Sequence, residues 1–192
     1  MPDPIRILHF SDLHIGMENY GRLDPETGLN QRVVDFLDRL DQVVEHAIRH
    51  EADLVLFTGD AFRTRDPNPT HHREFARRIR RLSEAAIPTV LLVGNHDIPV
   101  MVQRASSVDI FAALAVPHVT VARQPELLRL ETRRGPVEIG LIPYPVRQRL
   151  LTREQFRSMS QEGLDEAVTE AVVSLIRELQ AERAPDVPGL LA

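Results

Sequence analysis

The stretch DLVLFTGD at residues 53–60 contains a continuous apolar run that ends on Gly59 and Asp60. A short apolar run without polar alternation is typical of a strand that is buried on both faces of a parallel sheet. Gly59 lets the backbone turn tightly where the strand ends. The stretch therefore predicts a central strand that delivers the Asp60 carboxylate to one edge of a sheet.

One similar strand is predicted before this stretch and another after it, and polar residues follow each of them. Residues 5–10 (IRILHF) lead to Asp12 and His14, and residues 89–93 (TVLLV) lead to the sequence Gly-Asn-His-Asp at 94–97. In an open α/β sheet the ligand site lies beyond the carboxyl ends of the strands. We therefore expect all three polar motifs to lie at one edge of the sheet.

Amphipathic helices are predicted between these strands. One begins near Asn30, which is an acceptable N-cap, and its apolar face at helical spacing consists of Val33, Leu37, Leu40, Val44 and Ile48. A second helix is capped by Thr70, and its inner stripe consists of Phe75, Ile79 and Leu82. The alternation of strands and helices predicts an α/β fold with a parallel sheet and right-handed crossovers.

The second half of the chain is predicted to add shorter elements. These are a helix at 107–114, a strand at 118–121, a hairpin of residues 127–131 and 137–142, and the start of a strand at 189–192. A long helix at 163–183 has one apolar face, which consists of Leu164, Val168, Val172, Leu175, Ile176 and Leu179.

The bulk composition is that of a globular protein of one domain. The net charge of -5 gives no global signature of nucleic-acid binding, although it does not exclude a local basic surface. The absence of cysteine excludes disulfides and thiolate metal sites and fits a reducing cytoplasm. We find neither a signal peptide nor an apolar run of the roughly 18 residues that a membrane span requires. We therefore expect a cytoplasmic protein without membrane association.

The three polar motifs together predict a site for two divalent metal ions. Asp12 and His14 are two residues apart, so their side chains point to one side if the backbone stays extended. Asp60 can bridge two ions through its two carboxylate oxygens, and Asn95 offers an amide oxygen to the second ion. Oxygen and imidazole ligands without sulfur favour Mn²⁺, Fe²⁺ or Zn²⁺. Two such ions about 3.5–4 Å apart can promote displacement at a phosphate.

His96 and Asp97 are the predicted catalytic residues. His96 follows the ligand Asn95, and we expect it to point elsewhere and to stabilise or protonate the leaving oxygen. Asp97 is expected to orient His96 by accepting its second ring proton.

The motifs ILHFSDLHIG at 7–16, TGDAF at 58–62 and VGNHD at 93–97 resemble those of the calcineurin-like metallophosphoesterase superfamily. More narrowly, they resemble the SbcD-type DNA exonuclease subunit, and the stretches RDPNP at 65–69 and IPYP at 142–145 are similar to the same branch. The resemblance implies a metallophosphoesterase-type βαβαβ sandwich with mixed sheets flanked by helices. It also implies that His96 assists phosphodiester cleavage, and that the metal ligands are Asp12, His14, Asp60 and Asn95.

The same resemblance implies an activity and partners. It implies a Mn²⁺-dependent nuclease that acts on DNA ends and hairpins in DNA repair. It further implies an SbcC-type coiled-coil ATPase as a partner, and a homodimer. Two alternatives remain open at this point. One is another calcineurin-like phosphoesterase acting on nucleotides or phosphoproteins, and the other is a degenerate module without catalytic activity.

The chain departs from the family pattern in its histidines. The family completes its site with a later histidine at a strand end and with a Gly-His-x-His motif, and residues 1–192 contain neither. We therefore expect these residues to be the N-terminal portion of a single metallophosphoesterase domain, without its remaining histidine-bearing strands or any cap domain. The second metal site would then be incomplete, with weak metal binding and little activity for residues 1–192 alone.

Six arginines are candidate contacts to DNA, because phosphate binding requires clustered cations. They are Arg63, Arg65, Arg73, Arg77, Arg80 and Arg81. The first two follow the Asp60 loop, and the other four fall at helical spacing on one side of the next helix. A solvated face or a protein contact is the alternative for that helix. The pair His71-His72 is predicted to lie on a surface turn, because adjacent helical residues do not share a face.

Overall fold

A computed structural model describes residues 3–18, 21–99, 104–150 and 159–192, with only the backbone of residues 148 and 149. The chain forms two compact units. The first unit comprises Met1–Arg123 and Thr132–Gly135, and the second comprises Gln124–Glu131 and Pro136–Ala192. In the part of the chain that is described, no helix is both long and apolar enough to cross a membrane.

The first unit is built on a four-stranded parallel sheet. Its strands are β1 (Ile7–Phe10), β2 (Leu54–Phe57), β3 (Thr89–Leu92) and β4 (Val119–Ala122), and they are hydrogen-bonded in chain order. Every residue of β2 and β3 is buried, so the prediction of central strands covered on both faces is confirmed. The three polar motifs follow β1, β2 and β3, at the edge of the sheet where ligand sites occur.

Three helices connect these strands, namely α1 (Gln31–Arg49), α2 (Pro69–Glu84) and α3 (Asp109–Ala113). Residues of all three helices share one buried cluster with the same side of the sheet. Phe75 of α2 joins these layers, because its ring centroid lies 5.7 Å from that of Phe57 in β2 and 5.7 Å from that of Phe111 in α3. The predicted α/β class, with a parallel sheet and flanking helices, is confirmed.

Helix α1 begins as predicted but differs at its C-terminal end. Asn30 is its N-cap, and the side chain accepts a hydrogen bond from the backbone N–H of Arg32 at 2.9 Å. The prediction that Ile48 belongs to the buried face is wrong, because Ile48 is 39% exposed and Ala47 is 1% exposed. A stripe that starts at Val33 reaches Ala47 on the 3.6-residue period, whereas Ile48 lies one position beyond it.

Helix α2 begins before the predicted cap at Thr70, and that prediction is wrong. The N-cap is Asn68, whose side-chain oxygen accepts a hydrogen bond from the backbone N–H of His71 at 2.9 Å. Pro69 is the first helical residue, where the missing N–H costs nothing because the first N–H groups of a helix have no intrahelical partner. The predicted inner stripe is confirmed, since α2 buries Phe75, Ile79 and Leu82.

The cap of α2 gives a test by paired substitutions. Asn68→Ala is expected to lower the free energy of unfolding by about 1 kcal/mol, because one N–H of the first turn loses its acceptor. Thr70→Ala removes a side chain that caps nothing, and the free energy of unfolding should change little. Urea unfolding of both variants measures the difference. An equal loss in the two variants would show that the Asn68 cap does not stabilise α2.

The second unit is built on a three-stranded sheet. Its strands lie in the order β5 (Glu126–Thr132), β6 (Gly135–Leu141) and β7 (Gly189–Leu191), with β7 parallel to β6. Its helices are α4 (Arg147–Leu150) and α5 (Gln161–Glu182). These elements confirm the predicted hairpin, long helix and C-terminal strand. On the predicted apolar face of α5, Leu164 and Leu179 are buried and the other four residues are half-buried.

Candidate metal centre

The loops that follow β1 and β2 run side by side and bring two of the polar motifs together. The backbone N–H of Asp12 donates to the carbonyl of Gly59 at 3.1 Å, and that of His14 donates to the carbonyl of Asp60 at 3.0 Å. These bonds extend the parallel pairing of the two strands beyond their ends. As a result, the sheet itself aligns Asp12 and His14 with Asp60.

The backbone of these residues is not extended. Asp12, His14 and Asp60 have φ angles of 57°, 44° and 62°, in the left-handed region that residues with a Cβ rarely adopt. The expectation that an extended backbone aligns Asp12 with His14 is therefore wrong. Their side chains meet nevertheless, with His14 Nε2 3.6 Å from Asp12 Oδ1. Backbone strain of this kind concentrates at functional sites, where the surrounding structure enforces it.

His14, Asp60 and His96 form the centre of the site. Each offers one potential ligand atom, and these three atoms lie within 4.8 Å of one another. The rings of His14 and His96 meet edge to face, with centroids 4.9 Å apart. The backbone N–H of His96 donates to Asp60 Oδ1 at 2.9 Å, which joins the loop after β3 to the loop after β2. The His96 ring thus lies beside His14 and Asp60, and its role at the leaving oxygen stays a prediction.

A hydrogen bond fixes the tautomer of the His96 ring. Its Nδ1 lies 2.9 Å from the backbone carbonyl oxygen of Arg63. A carbonyl oxygen only accepts hydrogen bonds, so Nδ1 carries a proton. In the neutral ring Nε2 therefore holds the lone pair, which can bind a cation or take up a second proton.

The Asp97 carboxylate makes no hydrogen bond to the His96 ring, so its predicted role as the acceptor of that ring's proton is wrong. The Asp97 carboxylate, which is 0% exposed, instead accepts four hydrogen bonds at 2.8–3.2 Å. Their donors are the backbone N–H groups of Asp60, Ala61 and Gly94 and the hydroxyl of Ser107. Burial raises the pKa of the Asp97 carboxyl, although all four donors favour its charged form.

The charge balance of the site fits a divalent cation. Within the described ranges no arginine forms an ion pair with Asp12, Asp60 or Asp97, and His14 is the titratable partner of the first two. In addition, Nδ1 of the His14 ring is buried without a hydrogen-bond partner among the described residues. Carboxylates that lack a cationic partner and lie beside an imidazole are favourable surroundings for a metal ion.

The residues that could hold an ion differ in how closely they approach one another. His14 and Asp60 are the central pair, with Nε2 of His14 3.9 Å from Oδ2 of Asp60. Asp12 lies beside His14, and His96 lies within reach of both central ligands. Asn95 is half-buried, and its side chain makes no hydrogen bond to any described residue. Its role as a ligand stays a prediction.

The six arginines proposed as DNA contacts differ in their partners. Arg63 and Arg65 are exposed, and neither forms an ion pair with a described residue. The four on α2 all pair with carboxylates, namely Arg73 and Arg77 with Glu74, Arg80 with Glu84, and Arg81 with Asp41 and Glu45. These pairs offset the positive charge of α2, which favours the alternative of a solvated face for this helix.

Glu74 is the most buried carboxylate of this group. Burial alone would raise the pKa of its carboxyl, but hydrogen bonds from Arg73 and Arg78 and the charge of Arg77 together lower that pKa. Arg78 also pairs with Asp41 of α1 at 2.6 Å. The arginines of α2 therefore help to join α2 to α1, which leaves less positive charge for a polyanion.

The prediction that His71 and His72 lie on a surface turn is wrong. His71 is 7% exposed, and His72 packs on the Phe62 ring with centroids 4.7 Å apart. The Nε2 of His72 donates to the carbonyl of Ser107 at 3.2 Å.

Ser107 and the backbone carbonyl of Arg63 support the site, although neither belongs to a recognisable sequence motif. Only the tertiary fold brings them to the site, so the sequence alone does not indicate them.

Comparison with known proteins identifies a family and several relatives. A family model for calcineurin-like phosphoesterase matches residues 5–154. The DNA double-strand break repair protein Mre11 of Sulfurisphaera tokodaii is 35% identical over 94 residues, which are 49% of this chain and 22% of that protein. Mre11 of Thermoplasma acidophilum is 34% identical over 92 residues, which are 48% of this chain and 23% of that protein.

A third relative, Mre11 of Haloferax volcanii, is 35% identical over 92 residues. The match covers 48% of this chain and 19% of that relative. In all three cases the aligned stretch is about half of this chain and about a fifth of the relative.

Proposed function

Because the chain belongs to the calcineurin-like phosphoesterase family, we propose that it provides the catalytic residues of a DNA nuclease that depends on divalent metal ions. The main support is the cluster of His14, Asp60 and His96 beside carboxylates that lack arginine partners. DNA as the substrate is supported by relatives that are named for repair of DNA double-strand breaks. More specifically, we propose that the nuclease is an SbcD-type exonuclease that also acts as an endonuclease at hairpins. We propose Mn²⁺ as its metal ion in preference to Fe²⁺ or Zn²⁺.

The mechanism follows from what each residue can do. A divalent cation supplies Lewis acidity to a phosphate oxygen and lowers the pKa of an attacking water. His14 and Asp60 would hold the first ion together with Asp12, and Asp60 and Asn95 would hold the second. His96 keeps Nδ1 on the Arg63 carbonyl, so Nε2 remains free to donate a proton to the leaving oxygen when the ring is doubly protonated.

The proposed activity is tested with Mn²⁺ and three substrates. These are double-stranded DNA ends, DNA hairpins and the small phosphodiester bis(4-nitrophenyl) phosphate. We expect residues 1–192 to cleave DNA slowly and only when Mn²⁺ is present. Hydrolysis of the small ester without cleavage of DNA would reject the nuclease and favour another calcineurin-like phosphoesterase. Absence of both Mn²⁺ binding and hydrolysis would favour a module without catalytic activity.

The proposed partners follow from the same assignment. We propose that the protein works in the cytoplasm as a homodimer and binds DNA together with an SbcC-type coiled-coil ATPase. The support is the sequence resemblance to the SbcD-type subunit and the similarity to Mre11 proteins, which are named for repair of DNA double-strand breaks. Co-purification with such an ATPase and the mass of the isolated assembly are the measurements that test these two partners.

Arg63 and Arg65 are the arginines that we propose as phosphate contacts near the site. Replacing both with alanine should weaken DNA binding and reduce the slope of log affinity against log salt by about 2, since each lost phosphate contact removes about 1. Arg80→Ala is the control, because Arg80 is exposed and pairs with Glu84 at 2.7 Å. DNA affinity measured between low and moderate salt gives both slopes. An unchanged slope in the double variant would reject these contacts.

A further inference from the structure

The Asp97 carboxylate joins the two loops that hold most of the candidate ligands. Its Oδ2 accepts the backbone N–H of Asp60 at 2.8 Å and that of Gly94 at 2.9 Å, and its Oδ1 accepts that of Ala61 at 3.2 Å. Asp60 and Ala61 belong to the loop after β2, and Gly94 belongs to the loop after β3. A single buried side chain therefore bridges the segments that carry Asp60 and His96.

Asp60 is held from two directions by this arrangement. Its backbone N–H donates to Asp97, and its side-chain Oδ1 accepts the N–H of His96. The distance between Asp60 and His96 therefore depends on where the Asp97 carboxylate lies. Because a metal site tolerates little displacement of its ligands, the groups behind the ligands affect metal affinity strongly.

The Asp97 carboxylate is itself held by residues outside the recognised motifs. The hydroxyl of Ser107 donates to Asp97 Oδ1 at 2.9 Å, and the backbone N–H of Ser107 donates to the Asp97 carbonyl at 3.1 Å. His72 of α2 donates to the Ser107 carbonyl at 3.2 Å. A continuous series of hydrogen bonds thus runs from α2 through Ser107 to Asp97 and on to the two ligand loops.

We propose that Asp97 is a positioning residue that fixes the Asp60 and His96 loops in the spacing a metal ion requires, and that Ser107 sets its orientation. Asp97 is 0% exposed, so it does not reach a substrate. The four hydrogen-bond partners of the Asp97 carboxylate are all donors, as expected for an ionised carboxylate, which can only accept. The effect on metal affinity rests on the proposed metal-dependent function, whereas the bridging of the loops does not.

The test uses four variants and two measurements. Asp97→Asn keeps the size of the side chain but turns one acceptor oxygen into a donor, so at least one N–H of the ligand loops meets another donor. Ser107→Ala removes the hydroxyl, and Ser107→Thr restores it. Ser106→Ala is the matched control, because the Ser106 hydroxyl is buried without a hydrogen-bond partner among the described residues. Amide exchange is followed by NMR in the metal-free protein, and Mn²⁺ affinity is measured by calorimetry.

The expected results separate positioning from general stability. Asp97→Asn should raise the Mn²⁺ dissociation constant about 10–100-fold, and Ser107→Ala should raise it about tenfold. Both should speed exchange at the amides of Asp60, Ala61 and Gly94, while Ser107→Thr and Ser106→Ala behave as the wild type does. If Asp97→Asn does not fold, the comparison of Ser107→Ala with Ser107→Thr decides the outcome.

Two results would overturn the proposal in different ways. Unchanged exchange at the three amides in a folded Asp97→Asn or Ser107→Ala variant would show that Asp97 does not bridge the loops. Faster exchange with unchanged Mn²⁺ affinity would show that the bridge does not position ligands. If the wild-type protein binds no Mn²⁺ yet shows the expected exchange pattern, the proposed function fails and the bridge between the loops stands.

Discussion

Asp60→Asn is expected to remove Mn²⁺ binding and hydrolysis while leaving the fold intact. The side-chain oxygen of an asparagine can still accept the backbone N–H of His96, as Asp60 Oδ1 does at 2.9 Å. The amide nitrogen would then replace Oδ2, which lies 3.9 Å from His14 Nε2. An amide NH₂ does not ligate a cation, and one negative charge is lost from a site without arginine partners. We expect the Mn²⁺ dissociation constant to rise at least about 100-fold.

The control for this variant is Asp66→Asn. Asp66 is exposed in the loop that leads to α2, so its substitution makes the same change in net charge without removing a candidate ligand. Calorimetry with Mn²⁺ and hydrolysis of bis(4-nitrophenyl) phosphate measure the effect, and thermal unfolding of the metal-free proteins confirms the fold. Equal weakening in both variants would mean that overall charge, and not ligation by Asp60, determines Mn²⁺ affinity.

The sequence predicts most of the fold because hydrophobic periodicity reports burial directly. The continuous apolar runs of β2 and β3 give buried strands, and the polar residues that follow them reach one edge of the sheet. The prediction of Thr70 as the N-cap of α2 is wrong because it leaves out the preceding proline. Proline favours the first helical position, so Pro69 indicates Asn68 as the cap in preference to Thr70.

The candidate site is predictable in its residues but not in its conformation. Positive φ angles at Asp12, His14 and Asp60 are not predictable from the sequence. Aspartate and histidine adopt them more often than most residues with a Cβ do, but only a minority of aspartates and histidines have them. The partner of His96 is a backbone carbonyl, which every residue possesses. The adjacency of Asp97 to His96 in the sequence suggests a contact between the two side chains, whereas the Asp97 side chain is buried in the structure.

Gly59→Ala is expected to destabilise the first unit by about 3 kcal/mol and to weaken Mn²⁺ binding. Gly59 has a φ of +99°, and a Cβ there would lie 2.5 Å from Gly94 Cα and 2.6 Å from Gly94 N. Backbone atoms cannot rotate away as a side chain can, so the loops after β2 and β3 would have to separate. Separation breaks the bonds from Asp60 and Gly94 to Asp97 and moves Asp60 away from His96.

Gly28→Ala isolates the part of this effect that comes from backbone strain. Gly28 has a φ of +70°, and a Cβ there would meet no atom within 4 Å. Its substitution should therefore cost only about 1 kcal/mol of unfolding free energy and should leave Mn²⁺ affinity unchanged. Urea unfolding and calorimetry of both variants measure the difference. If Gly59→Ala cost no more than Gly28→Ala and bound Mn²⁺ normally, close approach of the two backbones would not be what holds the ligand loops together.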